Sequence, residues 1–219
     1  MRRALLAGLA AAALSAPAHA VLIGGVEFPQ GAASFADAVS NYAPGIVASG
    51  PTAPHQGAFN ALGAPDYPGG TVCASQESCS YVSLGDGGSI ILQFIDNRLT
   101  GSGDSALDLW IFEVGPDVED TFVAISADAS LWHAVGAVGG STAGINIDAF
   151  GFGPSHQFAY VRLTDDGTKD GQSGETVGAD IDAVGAISTV LTIPEPGTYG
   201  LLLAGLGLLG FAARKRKRR

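Results

Sequence analysis

The chain has 219 residues, with 11 basic and 21 acidic side chains and a formal net charge of −10. Eight of the basic residues sit at the two extremities, so the stretch 21–193 holds Arg98, Arg162 and Lys169 against twenty acids, a net charge of −17. Such a surface repels phosphate backbones, which excludes nucleic acid as an expected partner, and it suits divalent cations.

Residues 1–20 read as a secretory signal peptide. Arg2 and Arg3 precede an apolar run from Ala4 to Leu14, and Ala18-His19-Ala20 supplies the small-residue exit for signal peptidase. The run is too short and too rich in Ala to span a bilayer comfortably. Cleavage after Ala20 leaves Val21 as the mature start and delivers the rest through the inner membrane to an oxidising compartment.

From Val21 to about Gly70 the chain is rich in Gly, Ala and Pro with weak periodicity; Phe28, Phe35, Val39 and Tyr42 place one strand and one short helix. Cys73 and Cys79, the only cysteines, read as one disulfide closing a short surface loop. With no histidine pair and no second CxxC beside them, a zinc site is not expected.

Beyond Tyr81 short runs rich in β-branched and aromatic residues recur between Gly/Asp/Ser clusters. They are Tyr81–Leu84, Ser89–Ile95, Leu107–Val114, Thr121–Ala127, Leu131–Val138, Gly144–Phe150, Phe158–Thr164 and Ile181–Ile187. Within Leu107–Glu113 one face takes Leu107, Leu109, Ile111 and Glu113, and the other takes Asp108, Trp110 and Phe112. Ser126–Trp132 reads as a hairpin linking two strands. Eight short strands without a long amphipathic helix point to an all-β sandwich over residues 21–193.

The C-terminal end is a different kind of sequence. Pro194-Glu195-Pro196 breaks regular structure, Thr198 to Ala213 is uncharged, and Arg214, Lys215, Arg216, Lys217, Arg218 and Arg219 form a basic stop. Sixteen helical residues rise about 24 Å, near the roughly 30 Å hydrocarbon thickness once basic side chains snorkel. The positive-inside rule keeps the basic tail in the cytoplasm and the acidic domain outside, the orientation the signal peptide also sets. A Pro-Glu-Pro triplet, a short Leu/Ala/Gly helix and a terminal Arg/Lys cluster together resemble the PEP-CTERM sorting signal, here over residues 194–219. That resemblance implies an exosortase as processing enzyme and a membrane-anchored precursor. It also implies final delivery to the cell surface or extracellular matrix of a Gram-negative bacterium that builds exopolysaccharide in a biofilm.

The order of motifs in the exported domain resembles the galactose-binding, discoidin-like module. The matching stretches are Ala61–Asp66, Ser83–Ser89, Asp108–Glu113, Ser126–Trp132, Tyr160–Asp165 and Asp180–Val184, with Ala129 standing where such hairpins usually carry glycine. The resemblance implies a jelly-roll-type β-sandwich and loops at one end that bind glycans. A jelly roll of this order brings the first loop close to the final strand, so Asp66, Asp165, Asp180 and Asp182 are the candidate ligands for calcium, the one possible cofactor. Calcium takes six to eight hard oxygens, which Asp/Gly loops supply.

No catalytic residue is expected. The chain lacks a G-x-S-x-G elbow, an H-E-x-x-H pair and a P-loop, and His55, His133 and His156 are scattered singly. Asp166–Gly171 fails as a calcium loop at its third and twelfth positions, and Gly101–Ala106 leads into a strand instead of a helix. The expected role is a non-catalytic structural or adhesive surface component. The alternatives are a carbohydrate-binding module using Trp132 or Trp110, and a glycan hydrolase using Glu113.

Overall fold

The computed structural model describes residues 20–46, 50–70, 73–114, 119–168 and 174–192, together with helical Gly205, Gly207 and Leu208. The candidate signal residue Ala18, the sorting triplet Pro194–Pro196, most of the proposed membrane helix and the basic tail 214–219 lie outside them. Among the described residues, no helix is long and apolar enough to cross a membrane.

Thirteen short strands are present among the described residues. They are β1 (Val21–Ile23), β2 (Val26–Phe28), β3 (Ala38–Ala43), β4 (Val82–Ser83), β5 (Ser89–Gln93), β6 (Asn97–Leu99), β7 (Leu109–Glu113), β8 (Thr121–Ser126), β9 (His133–Val138), β10 (Thr142–Ile145), β11 (Tyr160–Asp165), β12 (Asp180–Ala186) and β13 (Thr189–Leu191). One main sheet has the order β10-β7-β12-β4 and the other β3-β5-β11-β8-β9, with every strand pairing antiparallel. Two ribbons, β1-β2 and β13-β6, complete the all-β architecture.

Alternation along the strands explains why the two sheets face each other. Leu109, Ile111, Ile181 and Val184 from one meet Ile90, Leu92, Val123, Ile125, Val161 and Leu163 from the other in a single buried cluster. Burying such side chains contributes about 1.5–3 kcal/mol each. The arrangement is that of a β-sandwich.

The four-stranded sheet is covered on its outer side too. The alternate residues of β7, Trp110 and Phe112, turn away from the main core into a second cluster with Val26, Phe28, Phe35 and Ala183. The Phe28 and Phe35 ring centroids lie 4.6 Å apart. Both rings lean on Gly185, where a Cβ would come within 2.7 Å of Phe28 and 2.8 Å of Phe35. The apolar N-terminal ribbon therefore roofs the sheet, and β7 is buried on both faces.

Differences from the sequence expectation are local. The helix expected near Phe35 is a 3-10 turn over Gly31–Ser34, and Gly144–Phe150 divides into the end of β10 and a 3-10 turn at Asp148–Phe150. Strands β1, β2, β6 and β13 have three residues each, too few for periodicity to declare them. The β8–β9 hairpin turns through Ala129 at φ 61°, a left-handed conformation held by Asp128, whose Oδ1 accepts from the Ser130 and Leu131 amides at 2.8 and 3.2 Å.

Candidate functional site

One end of the sandwich collects most of the chemistry. There the ends of β4, β7 and β11 meet the start of β12, because antiparallel neighbours alternate in direction. Asp165, the last residue of β11, accepts from Gly87 N (3.0 Å) and Gly167 N (2.9 Å) on one oxygen and from Ala179 N (2.9 Å) on the other. The carboxylate thus ties the 84–88 turn and the entry to β12 to its own turn, three charge-assisted bonds in a buried place.

Asp180 and Asp182 flank Ile181 at a bulge in β12, between Ile181 and Ala183. Asp180 accepts a short hydrogen bond from Ser83 Oγ. Burial holds its carboxyl well above the usual range, Ser83 opposes this, and the charges of Glu119 and Asp165 add to it. Asp182 accepts from Asp66 N at 3.1 Å and Tyr67 N at 3.3 Å; burial nonetheless pushes its carboxyl up to about 6. Glu113, at the end of β7, is pushed up to about 9, first by burial and then by a side-chain hydrogen bond with Glu119.

The candidate cation residues take different hydrogen-bond partners. Asp182 grips the Asp66–Tyr67 loop as the sequence order leads one to expect, whereas Asp165 and Asp180 belong to different sheets and serve backbone and hydroxyl donors. Among the described residues, the His, Cys, Asp and Glu side chains whose ligand atoms gather within 4.8 Å are His55, Cys73 and Cys79. His55 was not singled out by spacing, since it lies on a 3-10 turn, Ala53–Gln56, well before the cysteines.

Cys73 and Cys79 form a disulfide, with Cα atoms 4.7 Å apart. Their loop includes a 3-10 turn, Gln76–Ser78, whose start is closed by a capping box between Ser75 and Ser78. Gln76 Nε2 donates to Ala53 O at 3.0 Å, and Asn60 Nδ2 donates to Gln76 O at 2.9 Å, so the loop is clamped onto the His55 turn. His55 is 3% exposed, beside Tyr81 with ring centroids 5.8 Å apart, and its Nδ1 meets Thr52 Oγ1 at 2.9 Å. Burial lowers the imidazole pKa against the opposing charge of Glu175, so the neutral ring dominates at neutral pH.

Of the residues weighed for glycan chemistry, Glu113 lies at this end, while Trp132, Trp110 and Asp108 stand apart from it. Trp132 is half-buried, its Nε1 donates to Ala129 O at 3.2 Å, and the Arg162 guanidinium lies 4.6 Å from its ring centroid. Trp110 is in the outer apolar cluster. Asp108 accepts from Ser102 N (2.8 Å) and Ile147 N (2.9 Å). It precedes β7 while Glu113 ends it, which separates the two along the strand by roughly 17 Å. Glycosidase carboxyls stand about 5–10 Å apart.

An all-β domain with an acidic, heavily hydrogen-bonded end, followed by a Pro-Glu-Pro triplet and a basic tail, defines the class: an exported domain with a C-terminal address. Residues 192–218 match the PEP-CTERM protein-sorting motif. This indicates an exported protein, held in the membrane as a precursor and processed by an exosortase for the cell surface. No curated protein matches the chain. Among solved structures it is similar to the C-terminal domain of a chitobiase from Bacteroides fragilis, at 14% identity and a TM-score of 0.33, over 48% of this chain and 64% of that one.

Proposed function

We propose that this protein is a non-catalytic component of the cell surface or extracellular matrix, structural or adhesive in an exopolysaccharide setting. The observation that carries the reading is the sorting motif at 192–218 behind a domain of net charge −17. Carboxylates at the acidic end support it, because Asp165 and Asp182 spend their oxygens on backbone amides and leave little for a reacting group. Calcium bridging between the remaining exposed carboxylates and anionic polymer belongs to the same proposal. A second reading is a glycan-binding module, favoured by Trp132, Arg162, Tyr160 and exposed Phe122 on the outer side of the five-stranded sheet.

The test is production of the full chain, tagged within the exported domain, in bacteria with and without an exosortase. With the enzyme, the basic tail is lost and the domain reaches the surface; without it, the tail is retained and the protein stays in the membrane fraction. Identical size and location in both strains would sink the proposal. A glycan array probed with the released domain separates the two readings.

A further inference from the structure

We propose that His55, Cys73 and Cys79 form a thiol-gated site for one zinc ion, closed while the cysteines are joined and opened when a dithiol reduces them. The three side chains come from two segments, are all buried, and bring their ligand atoms within 4.8 Å of one another. Two thiolates and one imidazole are a recognised zinc donor set, with bonds of about 2.3 and 2.0 Å that put the ligand atoms roughly 3.5–3.8 Å apart. Cysteines with Cα atoms 4.7 Å apart reach that separation by side-chain rotation.

Reduction does not take the scaffold away. The Ser75–Ser78 capping box, the Gln76 bond to Ala53 and the Asn60 bond to Gln76 hold the loop on the His55 turn without help from the sulfurs. Thr52 Oγ1 lies 2.9 Å from Nδ1 of His55, and in the tautomer in which Nδ1–H donates to this hydroxyl Nε2 is the ligand nitrogen, the part an outer hydrogen-bond partner plays at zinc sites. Two thiolates cancel the charge of the ion, so the filled site is neutral and its burial is inexpensive. The surrounding excess of carboxylates raises the local concentration of cations.

The chemistry balances with the dithiol as the only reductant. The Sγ–Sγ bond breaks on accepting two electrons and two protons, and the dithiol departs as its own disulfide. Zinc then displaces the two thiol protons to solvent and takes up Nε2, leaving a fourth position for water.

The full chain, purified in detergent, is compared in its oxidised form and after treatment with a dithiol removed under anaerobic conditions. Zinc is titrated against a chromophoric chelator, and cobalt(II) serves as a spectroscopic substitute. The reduced chain is expected to bind one more zinc than the oxidised chain and to give cobalt thiolate charge-transfer bands with tetrahedral ligand-field intensity. His55→Gln, its fold checked by circular dichroism, is expected to weaken zinc at least tenfold and to shift the cobalt spectrum. Equal zinc uptake in both forms, unfolding on reduction, or a His55→Gln effect below tenfold would each overturn the site.

Discussion

The backbone amide of Glu119 donates to Glu113 Oε1 at 3.2 Å at the acidic end of the sandwich, and the Glu119 side chain beside it adds to the upward shift that burial gives Glu113. A buried carboxyl beside a second, half-buried one keeps its proton, because desolvation and the neighbouring charge both disfavour the carboxylate. Glu113 is therefore neutral in the fold, with a pKa of about 9 against 4.5 for the free side chain.

Stability should consequently fall as pH rises. A carboxyl whose folded pKa is raised binds more protons in the folded than in the unfolded chain, so its contribution is full below the unfolded value and lost as pH climbs through the folded one. Asp182 acts from about pH 4 to 6 and Glu113 from about 4.5 to 9, with Asp180 shifted in the same direction. Urea denaturation at pH 4.5, 7 and 9 should show a declining midpoint. Glu113→Gln should flatten the decline above pH 6; a midpoint that rises to pH 9 in the wild type contradicts the account.

Asp165→Ala should be the most damaging of the carboxylate changes. It strands the amides of Gly87, Gly167 and Ala179, which the side chain now satisfies in a buried position. Losing charge-assisted bonds and leaving buried donors unpaired costs about 3 kcal/mol. Equilibrium unfolding measures it, and a loss below 1 kcal/mol would show that water replaces the carboxylate.

At the hairpin tip the opposite sign is expected. Ala129 pays for a φ of 61° that glycine adopts freely. Ala129→Gly should stabilise the domain by about 0.5–1 kcal/mol, as the difference between an αL penalty and the extra chain entropy of glycine. A lowered denaturation midpoint would mean that the turn is not strained.

Gly185→Ala tests the roof over the four-stranded sheet. The added methyl meets the Phe28 and Phe35 rings at 2.7 and 2.8 Å, so the rings or β12 must move. Such overpacking costs about 1–3 kcal/mol. Thermal unfolding of the variant should show it, together with faster amide exchange in Val21–Phe28; an unchanged melting temperature would mean that the N-terminal ribbon is not held by these rings.

Legibility in the sequence followed the length and period of each element. β7 declared both of its faces because Leu109 and Ile111 alternate with Trp110 and Phe112, and the structure divides them between two cores. β8, β11 and β12 were visible for the same reason. β1, β2, β6 and β13 exist only through their pairing partners, and three residues carry no measurable period. Asp182 was found as a partner of the Asp66 loop because order along the chain implied proximity, but its donors are backbone amides, which no side-chain motif encodes.

By itself the sequence determined the destination and the material: a Pro-Glu-Pro triplet with a basic tail, read at 192–218, and strands whose two-residue period separates core from surface. Both are local signals, carried by neighbouring residues and unchanged by what packs around them. The tertiary structure decided which carboxyls are buried and protonated, and it brought His55 to Cys73 and Cys79 across the turns at Ala53–Gln56 and Gln76–Ser78. Desolvation and long-range contact depend on the closing of the two sheets, and no spacing along the chain records it.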